Sequence, residues 1–137
     1  MDYMLMPLMR YADFSGRSRR LEYWMFTLFY VLMITLLLGL AIFFGSPAGE
    51  PHTLAENYFL VVTGLFVVGT IIPSIAVSVR RLHDQDKSGW LYLLGFIPYV
   101  GGIILFVFMC LDGTAGPNRY GADPKERTIY RHADIFG

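Results

Sequence analysis

Three stretches of this chain, residues 24–44, 58–79 and 90–111, contain no Asp, Glu, Lys, Arg or His. All 22 residues of the charged types lie between and around them. The stretches are 21, 22 and 22 residues long, and at 1.5 Å per residue an α-helix of that length matches the ~30 Å hydrocarbon layer of a bilayer. Each holds 13 residues drawn from Leu, Ile, Val and Phe, an upper estimate of roughly −4 to −8 kcal/mol per segment toward insertion. A soluble bundle would need a polar stripe on every helix, and these segments are apolar all round. The pattern predicts an all-α, polytopic membrane protein with two full transmembrane helices and a third hydrophobic segment broken near Pro98. Residues 1–125 read as a single membrane-embedded domain and residues 126–137 as a polar C-terminal tail.

Local signals refine the elements. Ser18 is placed to cap the first membrane helix, with Glu22 in its first turn where the helix dipole favours a negative charge. Tyr23 and Trp24 stand where an interfacial aromatic belt would lie. Gly45, Ser46 and Pro47 break the helix after Phe43 and Phe44. In the second segment Thr63, Thr70, Ser74 and Ser78 recur at steps of seven and four and so share one face. Such a face suits close helix packing with hydroxyls bonding across; the alternative is a polar pore lining. Pro73 is expected to kink this helix. In the third segment Pro98, Gly101 and Gly102 make a strong break, and residues 112–137 are turn-rich and polar.

The positions of the basic residues bear on topology. Four Lys or Arg precede the first segment, three lie between the second and third, four follow the third, and residues 45–57 have none. The positive-inside rule therefore puts the N-terminus and loop 80–89 in the cytoplasm and loop 45–57 outside. A straight third span would leave four basic residues outside. A dip and return at Pro98–Gly102 would keep all 11 inside, but it frees backbone groups that must find partners within the membrane. Charge favours the return, backbone satisfaction favours the span, and the cytoplasmic tail is the expectation carried forward. The zero net charge argues against a nucleic-acid partner. Cys110 is the sole cysteine, so it forms no intramolecular disulfide, and within an apolar run it reads as a packing residue. Arg19-Arg20 before a hydrophobic run resembles a twin-arginine leader, but the run exceeds a signal-peptide core and lacks a small-x-small cleavage site, which points to a retained anchor.

Three motifs then align with one family. Residues 14–24, Phe-Ser-Gly-Arg-Ser-Arg-Arg-Leu-Glu-Tyr-Trp, resemble the F-x-G-R-x-x-R-x-E-[FY]-W opening of the bacterial membrane family called domain of unknown function 805. Arg80-Arg81-Leu82-His83-Asp84, continuing to Lys87-Ser88-Gly89-Trp90, resembles its R-R-x-H-D-x-x-K-S-G-W signature. Residues 116–124 are similar to its G-x-N-x-[YF]-G-x-[DN]-P tail. The resemblance covers about residues 10–125. It implies a small bacterial inner-membrane protein and carries no activity with it.

The chemistry-bearing residues are few. His83, Asp84 and Asp86 are too few, and without ligand spacing, for a metal site. His83 with Asp84 is the one acid–base pair an interfacial enzyme could use; His83 as a pH sensor rests on its ordinary pKa alone. On a helix Asp84 would face Arg80 and Arg81 at i,i+4 and i,i+3 spacing. Asp112, Asn118 and Asp123 read as turn formers rather than a calcium loop. The residues expected to contact lipid or a partner are Arg17, Arg19, Arg20, Glu22, Trp24, Arg80, Arg81, His83, Asp84, Lys87 and Trp90, with Glu22 expected to pair with Arg80 or Arg81. Helix packing is expected of Thr63, Thr70, Ser74 and Ser78. The expectation is a non-enzymatic structural or interaction protein without cofactor, whose arginine-rich cytoplasmic face meets anionic lipid, a second copy or a membrane-protein partner. The alternatives are a small transporter or channel subunit and an interfacial membrane enzyme.

Overall fold

The computed structural model describes residues 2–46 and 51–125; the polar tail 126–137 expected from the sequence lies outside the described residues. The order is α1 (Asp2–Met9), α2 (Arg20–Phe43), α3 (Leu54–Asp84), a 3₁₀ helix (Gly89–Phe96) and α4 (Gly101–Cys110). The long helices α2 and α3 have 24 and 31 residues. α2 runs past its uncharged core into charged sequence at its start and α3 at both ends, from Glu56 to Asp84, and α3 continues unbroken through Pro73. They form an antiparallel hairpin joined by loop 44–53. At the loop end Thr53 caps α3 by accepting from the Glu56 N–H at 3.1 Å, and its hydroxyl donates to the Phe44 carbonyl at 2.9 Å. Phe44 stacks on Phe59 beneath it. Deeper in, Phe66 of α3 lies against Phe29 and Tyr30 of α2.

Burial is inverted relative to a soluble protein. Only 11% of the most apolar stretch of α2 and 28% of that of α3 is buried, while Leu32, Leu36, Ile42, Val61, Leu65 and Val68 point outward. The fully buried side chains are instead led by Arg80 and Arg81. A water-soluble fold hides leucine and exposes arginine; this arrangement suits a hydrocarbon solvent around the helices and a polar junction at one end.

The third segment is a hairpin, as the Pro98–Gly102 break allowed. Its eight-residue 3₁₀ limb and ten-residue α4 reach about 16 and 15 Å at 2.0 and 1.5 Å per residue, about half a bilayer. The turn is satisfied locally. Ile97 N–H donates to the Leu94 carbonyl at 3.0 Å, Val100 N–H to Pro98 at 2.8 Å and Gly101 N–H to Ile97 at 3.0 Å. These three N–H groups take no partner from the hydroxyls of α3. With three residues per turn, Gly89 and Gly95 share a face of the 3₁₀ limb. A Cβ on Gly89 would press on Val79 of α3, and one on Gly95 on Leu105 of α4. The missing side chains are what let this limb nest between those two helices. The return brings residues 111–125 back to the end of the hairpin where α2 begins and α3 stops.

Two local expectations are corrected. Ser18 does not cap α2: the cap position is Arg19, and the buried Ser18 hydroxyl accepts from Arg80 Nε at 3.0 Å instead. Cys110 is exposed rather than packed.

Candidate functional site: a buried charge junction and its cationic cleft

The junction forms because α3 carries Arg80, Arg81 and Asp84 in its last turns and must end abruptly after them. Asp86 N–H donates to the His83 carbonyl and Lys87 N–H to that of Leu82, both at 3.0 Å. This double closure is the Schellman pattern, and Asp86 takes the left-handed position at φ 56° where glycine is usual.

Arg17 is the centre of the junction. Its Nε donates to Asp84 Oδ1 at 2.9 Å, and its Nη atoms donate to the carbonyls of Thr114 and Gly116, both at 2.6 Å, of Gly121 at 3.3 Å and of Asp84 at 3.4 Å. These five bonds match the five N–H donors of a guanidinium. One buried side chain thus ties the segment before α2, the end of α3 and the returning tail. Arg81 Nη1 meets the other Asp84 oxygen at 2.6 Å and its Nη2 donates to the Leu111 carbonyl. Arg81 Nε is buried without a partner among the described residues. Gly113 rests on Asp84 so closely that a Cβ there would overlap the carboxylate; Thr114 N–H donates to the Asp84 carbonyl at 2.8 Å.

A second cluster lies beside it. Arg80 Nη2 is 3.2 Å from Glu22 Oε1, and Arg80 Nη1 donates to the carbonyl of Asp13 at 2.8 Å. Side-chain exposure is 0% for Arg80 and 6% for Glu22. The cross-helix partner of Glu22 is therefore Arg80 and not Arg81, which is committed to Asp84. The expected i,i+3 contact of Arg81 with Asp84 is present, while Arg80 turns away from Asp84 toward α2.

The remaining site residues fall into two groups. Arg17, Glu22, Arg80, Arg81 and Asp84 face protein, so the expectation that all the arginines meet lipid headgroups is narrowed. Each of the five is buried in an ion pair with another of them, since an unpaired charge there would be costly. Arg19 and Arg20 stay accessible, Trp24 is 36% exposed and Trp90 79%. Lys87 lies with its Nζ 5.2 Å from the centre of the Phe108 ring. On the face carrying Thr63, Thr70, Ser74 and Ser78, Thr63, Thr70 and Ser78 are buried, and Ser74 and Ser78 line a cavity of about 410 Å³ shared with Tyr30 and Tyr92. The hydroxyls of Thr63, Thr70 and Ser78 donate back to the carbonyls of Phe59, Phe66 and Ser74 at 2.7 Å, within α3 rather than across to a neighbour.

The tail residues hold the junction's outer side. Asn118 Nδ2 donates to the His83 carbonyl at 3.0 Å, and its Oδ1 accepts from Tyr120 N–H at 2.9 Å. The Tyr120 ring stacks on His83 at 3.8 Å. Asp123 accepts from the N–H groups of Lys125 at 2.8 Å and Gly116 at 3.1 Å. Burial works against its ionisation, but these two N–H donors, and then the charges of Arg17 and Lys125, outweigh it and hold the carboxyl below the ordinary aspartate range. Asn118 and Asp123 do form turns, as read from the sequence. Asp112 instead pairs with Arg20 at 2.9 Å and Lys125 at 3.4 Å. These tail contacts were missed as site residues. The only signal for them was the tail motif itself, whose residues 116–124 include Gly116, Asn118, Tyr120, Gly121 and Asp123.

Between the start of α2 and the end of α4 opens a cleft of about 590 Å³, rimmed by Arg19, Arg20, Asp112 and Lys125, walled by Leu21 and Trp24, and lined also by the Arg81–Asp84 ion pair.

The match to the family model described as "Protein of unknown function (DUF805)" runs over residues 11–122, from the segment before α2 through the tail turns of the junction. The chain belongs to the DUF805 family. Inner membrane protein YhaI of Escherichia coli K12 is 41% identical over 131 residues, covering 91% of this chain and 97% of that protein. Inner membrane protein YhaH of the same strain is 42% identical over 125 residues, covering 91% and 98%. No solved structure matches. This DUF805 member is thus an all-α integral inner-membrane protein, and its family signatures fall on the two ion-pair clusters and the tail that closes them.

Proposed function

We propose that this protein is a multi-pass structural protein of the inner membrane whose charged end is cytoplasmic, and that it serves by holding a rigid, net-positive platform at that surface for an anionic partner. The observation that carries the reading is the Arg17 clamp, which keeps the N-terminal segment, the end of α3 and the tail at one end of the helical hairpin. Every Lys and Arg among the described residues lies at that end, and residues 45–57 contain none, the asymmetry that the positive-inside rule associates with the cytoplasm. A non-catalytic role is favoured by the state of His83 and Asp84, the acid–base pair singled out from the sequence. Asp84 is held by two arginines, and His83 is stacked on Tyr120 and bonded through its carbonyl to Asn118.

The test is thiol accessibility. In a Cys110→Ser background, single cysteines at His52, Asp86 and Ala115 are exposed to a membrane-impermeant reagent in intact cells. Position 52 is expected to react, and positions 86 and 115 only after permeabilisation. Reaction at 115 before permeabilisation would overturn the same-side arrangement, and reaction at 86 but not 52 would reverse the whole orientation.

A further inference from the structure

We infer that the cleft between the start of α2 and the end of α4 binds the phosphate of an anionic glycerophospholipid, with an acyl chain lying along Leu21 and Trp24. The inference rests on the proposed platform and names its ligand. Two observations point to this occupant. At the cleft mouth three cations, Arg19, Arg20 and Lys125, share one carboxylate: Asp112 pairs with Arg20 and Lys125, while the Arg19 guanidinium donates to the Pro124 carbonyl. These cation side chains keep donors accessible, with Arg20 and Lys125 47% and 59% exposed, unlike the fully enclosed Arg80 and Arg81. A phosphodiester supplies the missing negative charge and several acceptor oxygens, which suit arginine forks. The volume is within the roughly 300–1,000 Å³ range of ligand clefts.

The second observation is what lies directly below. Leu21, 49% exposed, and Trp24, 36% exposed, continue the cleft along the outward face of α2, and the Trp24 ring stands edge-on to Phe106 of α4 at 5.8 Å. A tryptophan one helical turn beneath a cationic rim matches the level at which headgroup gives way to acyl chain. A free phosphate would use the rim alone; only an amphiphile would use rim and wall together.

The experiment uses the full chain in nanodiscs, carrying Trp90→Phe so that Trp24 is the sole tryptophan reporter. At a fixed bilayer composition, brominated acyl chains are placed either on phosphatidylglycerol or on phosphatidylcholine. Selective seating predicts stronger Trp24 quenching when the bromine is on the anionic lipid; equal quenching by both overturns the proposal. In detergent, binding of phosphatidylglycerol is expected to weaken roughly fivefold for each cation removed by Arg19→Gln, Arg20→Gln and Lys125→Gln. Removing two cations elsewhere at the same end, Lys87→Gln with Arg119→Gln, should leave it within twofold. An equal loss in both sets would reduce the cleft to general surface charge and overturn it. Inorganic phosphate is the competitor: displacement of the lipid at micromolar phosphate would mean a free-phosphate site and also overturn it. These readouts do not depend on which side of the membrane the cleft faces. A failed thiol experiment and a failed lipid experiment are therefore distinguishable.

Discussion

Arg80 and Arg81 are neighbours in sequence and point to different tasks. On a helix successive side chains diverge by about 100°, so Arg80 crosses to Glu22 of α2 while Arg81 stays with Asp84 and the tail. A double-mutant cycle tests the division. Coupling of Glu22→Gln with Arg80→Met is expected to exceed about 1 kcal/mol, and coupling of Glu22→Gln with Arg81→Met to be clearly smaller. Unfolding in a fixed detergent gives both energies, and equal values would refute the assignment. Glu22→Gln alone is expected to be destabilising by about 3–5 kcal/mol, because it leaves a buried guanidinium without its carboxylate. The sequence revealed that Glu22 needed a cation and that the cation came from the end of α3. It did not reveal which arginine, because that depends on the rotation of α3 about its own axis. Nor did it reveal Arg17 as the hub. Arg17 looked like one more interfacial arginine; its carboxylate partner Asp84 lies 67 residues away, and its carbonyl partners Thr114, Gly116 and Gly121 lie about a hundred residues away in a segment read as turns and a tail motif.

Element boundaries were legible where composition changed and blurred where charge was buried. The apolar cores of α2 and α3 stand where the uncharged runs placed them, but α3 continues five residues further, to Asp84, because its terminal charges are neutralised by partners instead of water. Ser18 had the chemistry of a helix cap and lost that role to a stronger claim from Arg80. The 3₁₀ limb had no sequence signature beyond its two glycines, since runs this long are uncommon. The α3 terminus offers a test of element stability. Asp86 occupies a left-handed turn position that favours glycine, and its Arg119 pair, 3.1 Å long with both side chains about half exposed, is of the kind that contributes little. Asp86→Gly is expected to raise unfolding stability by about 0.5–1 kcal/mol. A loss of similar size would mean that the surface pair outweighs the backbone strain.

The whole molecule divides into an apolar body and a charged cap, and the cap responds to pH through Asp123. Its folded carboxyl titrates below the ordinary aspartate range, so the unfolded state takes up the proton first. The stabilisation it gives is complete above the unfolded value near pH 4 and is lost as pH falls through the lower folded value. Amide exchange at Gly116 and Lys125, whose N–H groups Asp123 accepts, should stay protected down to about pH 4 and lose protection below it. In Asp123→Asn the protection should be lower throughout and flat across that range. Protection that fell between pH 6 and 5 would contradict the assignment. That the molecule is a membrane protein with one charged end was readable from where its charges were absent. That the end is a closed, hydrogen-bonded body required the tail to be seen folded against it.

The Arg17 clamp also sets an order of events during synthesis. At about 5–20 residues per second, Gly116 emerges several seconds or more after Arg17, and α2 and α3 are both made in that interval. Arg81 can engage Asp84 as soon as α3 is complete, three residues apart on one helix. Arg17 can meet Asp84 at the same stage, but its carbonyl acceptors on Thr114, Gly116 and Gly121 arrive only once the last hairpin has returned. The final contacts to form are therefore those that join the two extremes of the described chain, and the junction closes only on a polypeptide translated past its third hydrophobic segment. A chain that stops short of residue 114 leaves Arg17 with Asp84 alone and without the three tail carbonyls that close the hub.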